Sequence, residues 1–251
     1  MERQYPMHII IGNFGNHSLA VLQALIEKGV GNVHFVFVDT GWAQAAWSER
    51  VVACSEYAKA QGISVHGLTS TMSFADMVKD RKQFPSRKFQ WCASFLKGLA
   101  ILAFLDDFDP SCEALIVSGK RQSDSRRYTN LEEFERDNEL YQGRSLWHPL
   151  WQTHDEEFIQ LIRRTGFPVL NHASLECSPC IHWNTAQLQQ LDAFSKARLQ
   201  SLEDETGLTM FKEGITELSS ISACPQIHAR PNKIDLLQFD LSCGAPWGCG
   251  E

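Results

Sequence analysis

No run of about 18 apolar residues occurs in the chain, so no membrane-spanning helix is expected. The opening residues Met1-Glu2-Arg3-Gln4-Tyr5-Pro6 lead straight into a short apolar run. No long apolar segment and no small-residue cleavage site follow, so no secretory leader is expected and the cytoplasm is the expected compartment. Positive charge is in deficit as well: 23 lysines and arginines against 30 aspartates and glutamates leave a net charge of -7. Such a chain has no general attraction for a phosphate backbone, so nucleic acid is not an expected partner and any anion must be held by a local cluster. Repeats and low-complexity linkers are missing too. At 251 residues and 43% apolar content, one large domain, alone or with an appendage, can bury a sizeable core.

Cysteine, by contrast, is plentiful, with eight in the chain. A domain of this size needs no disulfide framework, and cytoplasmic thiols stay reduced. Three are placed distinctively, in Trp91-Cys92 and in Cys177-Ser178-Pro179-Cys180. A Cys-x-x-Cys step brings two thiolates onto one turn, a pattern suited to iron-sulfur clusters or tetrahedral zinc. Cys54, among Val51, Val52 and Tyr57 on a helical face, is expected to be a small core residue, and Cys112 has no evident partner. Cys224, Cys243 and Cys249 lie in the tail, where the steps Cys243-Gly244 and Cys249-Gly250 suggest an exposed, mobile end.

The order of elements follows from periodicity. Residues 7–11 form a β-branched run ending at Gly12, as a buried parallel strand would. Apolar residues at 19, 21, 22, 25 and 26 predict an amphipathic helix closed by Gly29. Residues 33–38 read as a second buried strand, 43–61 as helix, 62–68 as loop plus strand, 95–104 as helix and 114–119 as another strand. Leu188, Leu191, Phe194, Leu199 and Leu202 predict one helix over residues 185–205, packed on the body or on a sister subunit of a homodimer. Alternating strands and helices predict an α/β fold with a doubly wound, mostly parallel sheet. Ligands in such sheets sit beyond the carboxyl ends of the strands. The expected pocket is therefore built from residues 12–18, 39–41 and 119–127. A helix N-terminus behind the first segment offers N–H groups and the positive dipole end to an anion, with Ser18 as its expected cap. Of the histidines, His17 alone is placed to matter; His172, His182 and His228 read as surface or capping residues. Trp42, Trp91 and Trp151 read as pocket-wall rings.

Taken in order, these segments resemble the phosphoadenosine phosphosulfate reductase family, part of the adenine nucleotide α-hydrolase group that also holds the PP-loop ATP pyrophosphatases. Asn13-Phe14-Gly15-Asn16-His17-Ser18 stands where the family has a loop like SFGKDS, and Val38-Asp39-Thr40-Gly41 matches a strand ending in DTG. Gln90-Trp91-Cys92-Ala93-Ser94-Phe95-Leu96-Lys97 is similar to RWCTxxLK. Gly119-Lys120-Arg121-Gln122-Ser123-Asp124-Ser125-Arg126-Arg127 is similar to GxRxxES with arginines after it. His148-Pro149-Leu150-Trp151 before Asp155-Glu156-Glu157-Phe158-Ile159, and then the Cys-x-x-Cys pair, complete the series.

That resemblance implies a nucleotide-binding domain over residues 1–185 and a helical extension with a Cys-Gly-rich tail over 186–251. It implies that the 12–18 loop (Asn13, Phe14, Gly15, Asn16, His17, Ser18) cradles a phosphate or sulfate, that Asp39 and Thr40 lie beside the nucleoside, and that Lys97, Gly119, Arg121, Ser125, Arg126 and Arg127 help hold anionic oxygens. Arginine suits the last task because its planar fork makes paired bonds to such oxygens. Asn16 and His17 replace the loop's lysine and aspartate, and Gln90 replaces an arginine, so an ATP-magnesium site is not expected. A 4Fe-4S cluster, or zinc in its place, would be held by Cys92, Cys177, Cys180 and a fourth ligand, Cys249 the first candidate beside Cys243 and Cys224. Cys249 or Cys243 would attack the sulfur of an adenine sulfonucleotide, with a thioredoxin-like thiol resolving the product. Two other functions fit the resemblance: an iron-sulfur-dependent sulfurtransferase acting on tRNA or a small molecule, and a nucleotide or redox sensor without turnover.

Overall fold

Successive residues of the central strands face opposite cores, as the period-two pleat requires. Ile10, Phe35, Leu115 and Val117 point to one face, and Ile9, Ile11, Val36, Val38 and Ile116 to the other. Both faces are covered, which is why these strands read as unbroken apolar runs rather than alternating ones. The computed structural model describes residues 5–211 and Trp247.

Among these residues the elements run β1 (His8–Ile11), α1 (Asn16–Glu27), β2 (Val33–Asp39), α2 (Ala45–Ala60), β3 (Ser64–Thr69), α3 (Phe74–Arg81), a π-helical turn (Cys92–Gly98), α4 (Leu99–Phe108), β4 (Leu115–Val117), β5 (Phe134–Asn138), β6 (Arg144–Trp147), α5 (Asp155–Arg164), α6 (Thr185–Gln189) and α7 (Ala193–Thr206). The sheet order is β3-β2-β1-β4-β6-β5, parallel throughout except for β5 on the edge. Strand order reverses between β1 and β4, which pair in parallel with His8 beside Leu115. The crevice beyond their carboxyl ends is where such sheets take ligands. The α/β, doubly wound fold is therefore as expected. The first core takes in residues of α1, α2 and α5, and the second residues of α4. A third cluster joins Trp42, Phe74, Trp91, Leu96, Leu199 and Leu202, drawn from α3, the π-helical turn and α7. No helix among the described residues is long and apolar enough to cross a membrane.

Several local expectations are corrected. Helix α1 starts at Asn16 with Gly15 as its N-cap and no side-chain cap, so Ser18 sits inside the first turn. The helix expected over residues 185–205 is two: Asn184 closes a capping box with Gln187, and Asp192 starts a second helix by accepting from the Ser195 N–H. Val52, read as part of a buried face, is 63% exposed, whereas Cys54 is fully buried. Burial pushes the Cys54 thiol up to about 11, which makes it a packing residue rather than a nucleophile.

β5 and β6 have no apolar signature. β6 begins with Arg144, which is 0% exposed and donates from Nε to Asp109 Oδ2 at 2.7 Å and from Nη2 to the carbonyls of Leu105 and Asp109. Asp109 in turn accepts the Glu113 and Ala114 N–H groups at the entry to β4. Arg144→Ala would leave that carboxylate buried without its counter-charge. We expect a loss of about 3–5 kcal/mol, read as a lowered urea midpoint.

Candidate active site

The loop after β1 is shaped by its own side chains. Asn13 Oδ1 accepts the Gly15 N–H at 2.8 Å, and the Asn13 N–H donates to Ser18 Oγ at 3.0 Å. Phe14 takes φ of 62°, rare for a bulky residue, and its ring stacks on Phe35 at 4.2 Å in the first core. Asn16 pairs both ends of its amide with the backbone of Leu170 at 2.9 Å. Gly119, two residues after β4, lies so close to the loop that a Cβ there would come 2.6 Å from the His17 carbonyl. The first turn of α1 carries no acidic residue and no side-chain cap, which leaves its positive end available to an anion.

From this loop a buried polar chain runs to the cysteines. The Asn13 amide donates to Glu176 Oε1 at 3.0 Å and to Ser174 Oγ at 3.0 Å, and Glu176 Oε2 accepts from Lys97 Nζ at 2.8 Å. Lys97 is 2% exposed and sits on the π-helical turn, a helical irregularity that recurs at functional sites. The lysine expected to supply a surface or anion-facing charge is thus ion-paired inside the protein. Glu176 was missed in the sequence because nothing marks it beyond its place next to Cys177.

Cys92, Cys177 and Cys180 line one cavity of about 40 Å³ together with Thr40, Lys97, Glu176, His182 and Trp183. Thr40 Oγ1 lies 3.9 Å from Cys177 Sγ, so the end of β2 meets the Cys-x-x-Cys turn. That turn is clamped: the Ser178 N–H donates to the Trp42 carbonyl, Trp42 Nε1 to the Pro179 carbonyl, and Arg198 to the carbonyls of Trp42 and Ser178. Among the described residues no three His, Cys, Asp or Glu side chains are grouped closely enough for one metal ion. Cys224, Cys243 and Cys249 lie outside the described residues.

The arginines divide. Arg121 is buried, and its guanidinium donates to Asp124 Oδ1 at 2.9 Å and Asp155 Oδ1 at 2.8 Å while lying 4.0 Å over the Phe158 ring. Asp124 also meets His17 Nε2 at 3.0 Å. Burial pushes the Asp124 carboxyl up, but His17 and Arg121 together hold it below its ordinary value. Arg121 and His17 therefore face carboxylates of their own chain. Arg126 and Arg127 are exposed, with the Arg127 N–H on Ser125 Oγ at 3.2 Å. Asp39 is exposed and accepts the Gly41 N–H at 2.8 Å, closing the turn after β2. His182, read as a surface or capping residue, lines the cysteine cavity; burial, then Arg87 and Arg127, hold its pKa below the usual imidazole value. Trp42 and Trp91 are buried in the third cluster beside the cavity, while Trp151 lines a separate surface hollow.

The family model described as "Phosphoadenosine phosphosulfate reductase domain" matches residues 8–206. No curated protein matches the chain. Among solved structures, phosphoadenylyl-sulfate reductase from Candida auris, in a phosphate complex, is similar at 16% identity over 66% of this chain and 76% of its own, with a TM-score of 0.49. NMN synthetase from Francisella tularensis is similar at 8% identity over 86% and 83%, also at 0.49. The NH3-dependent NAD synthetase from Campylobacter jejuni is similar at 12% over 82% and 89%, at 0.43.

Proposed function

The chain belongs to the phosphoadenosine phosphosulfate reductase family, and from that membership we propose that it acts on the sulfur of an adenine sulfonucleotide, beside an iron-sulfur cluster held by Cys92, Cys177, Cys180 and a tail thiol. One observation carries this reading: three cysteines from two distant segments wall a single cavity that a buried polar chain connects to the loop after β1. The uncapped first turn of α1 supports an anion at that loop, and Thr40 lines the cysteine cavity beside Cys177.

In this reaction the thiolate of Cys249 or Cys243 attacks the sulfonate sulfur. The new S–S bond forms as the S–O bond to the nucleotide phosphate breaks, and the nucleotide leaves with the electron pair. A thiolate of a thioredoxin-like dithiol then attacks the enzyme's sulfur and expels sulfite. Its second thiol resolves the mixed disulfide, so the dithiol is oxidised and the sulfur reduced. The bound cluster would supply a polarisable, redox-capable centre at the cavity. The Lys97–Glu176 ion pair ties the π-helical turn to the Cys-x-x-Cys segment, and the Trp183 ring lines the cavity.

Anaerobically purified protein given adenylyl sulfate or its 3′-phospho form and a dithiol is expected to release sulfite. Protein with its iron in place that releases none from either substrate would refute the reading. A second reading, a sensor that binds without turnover, is favoured by the commitment of the Asn13 and Asn16 amides and the Arg121 guanidinium to partners within the chain. Nucleotide that raises the melting temperature without yielding sulfite would support it.

A further inference from the structure

A second hollow, of about 960 Å³, lies at the start of β1, away from the loop that follows that strand. His8 opens β1, Asn32 precedes β2 and Leu115 opens β4, and all three line it. It shares no lining residue with the cysteine cavity. Its walls are pinned by the chain itself. The His8 N–H donates to the Asn32 carbonyl at 3.0 Å, the Asn32 amide donates to the Pro6 carbonyl at 2.6 Å, and His8 Nδ1 meets the Gly31 carbonyl at 3.1 Å. A carbonyl only accepts, so Nδ1 carries the proton and Nε2 is left as an acceptor.

The lining says what would fit. Phe134 stacks on Trp147, with centroids 5.7 Å apart and planes 5° from parallel, yet stays 44% exposed. A ring packed on one side and open on the other offers a platform to a further ring. Arg136 also lines the hollow, is exposed, and makes no ion pair among the described residues. Lys28 adds a second cation, 5.7 Å over the Trp147 ring. No aspartate or glutamate is in the lining, although the chain carries a net charge of -7. The Glu133 carboxylate meets only the edge of Trp147, accepting from Nε1 at 3.3 Å. Ser145 is 4% exposed and lines the hollow, and its hydroxyl makes no hydrogen bond among the described residues. A buried hydroxyl costs free energy until a partner meets it. We infer that this hollow is a binding site for an aromatic anion of about nucleotide size. Its flat ring stacks on Phe134, its charge pairs with Arg136, and a polar substituent reaches Ser145. The volume is within the range of about 300–1,000 Å³ that small-ligand sites occupy.

Calorimetric titration of the full chain with 2-naphthyl phosphate, which joins a flat ring to a dianion, tests this. Affinity is expected to fall about tenfold in Phe134→Ala, through lost stacking, and about tenfold in Arg136→Glu, through reversed charge. Both side chains are exposed, so both variants should fold. 2-Methoxynaphthalene keeps the ring without the charge, and inorganic phosphate keeps the charge without the ring. Each is expected to bind the parent at least about tenfold more weakly than the naphthyl phosphate. Lys59→Glu makes the same change of charge on α2, outside the lining, and is expected to leave the affinity as it was. Three results overturn the inference: no binding to the parent, an affinity indifferent to either Phe134→Ala or Arg136→Glu, or a loss in Lys59→Glu equal to that in Arg136→Glu.

Discussion

Cys177→Ser protein purified without oxygen is expected to emerge colourless, with its iron lost and its sulfite release lowered at least about 100-fold. Losing the outer partners of a metal site costs about 10–100-fold, and losing a ligand should cost no less. The loss is chemical rather than structural. Serine is nearly isosteric with cysteine, and the turn that carries Cys177 is held independently by Trp42 and by Arg198 through the backbone of Ser178 and Pro179. The turn should therefore stay in place while a soft thiolate is exchanged for a hard hydroxyl. Cys112→Ser is the control for thiol count: Cys112 is a partly exposed free cysteine that does not line the cavity, and its replacement is expected to leave iron and rate unchanged. Cys54→Ala is the control for packing, since that thiol is wholly buried in the first core and its loss should lower stability without removing iron. Visible absorbance, iron and sulfide analysis and sulfite release read all three. Full iron and full rate in Cys177→Ser would show that the Cys-x-x-Cys turn holds no cluster.

The same physics explains which parts of the molecule could be read from sequence. Strands β1, β2 and β4 are buried on both faces and so are written as unbroken apolar runs, Ile9-Ile10-Ile11 above all. β5 and β6 could not be read this way. The edge strand carries Phe134-Glu135-Arg136-Asp137-Asn138, and β6 opens on an arginine whose burial makes sense only once Asp109, 35 residues earlier, is known to lie against it. The candidate site divides similarly. The cysteine spacings and the glycine-punctuated loop were visible because they are local. The direction of Arg121 was not: whether a guanidinium faces a ligand or its own chain depends on Asp155, 34 residues on, arriving at 2.8 Å. Glu176 and His182 were hidden for the same reason, since each has its meaning from a residue distant in sequence.

Lys97→Met is expected to cost about 3–5 kcal/mol, because it strands the Glu176 carboxylate in the interior. Lys97 is 2% exposed and the Glu176 side chain 9%, so solvent does little to screen the pair and no large discount applies. Glu176→Gln alone strands the opposite charge and should cost a similar amount. The double variant Lys97→Met with Glu176→Gln removes both charges, and the glutamine carbonyl can still accept from the Asn13 amide. Much of the stability should therefore return, as buried pairs replaced together are often near neutral. Turnover is expected to behave differently. Asn13 reaches Glu176 from the loop after β1 while Lys97 reaches it from the turn that carries Cys92, so the pair joins the two halves of the site. Urea denaturation of the four proteins gives the coupling in stability, and sulfite release gives the coupling in rate. A double variant that is stable yet slow would assign the pair to the alignment of anion and sulfur, whereas one that is stable and as fast as the parent would make it a fold contact alone.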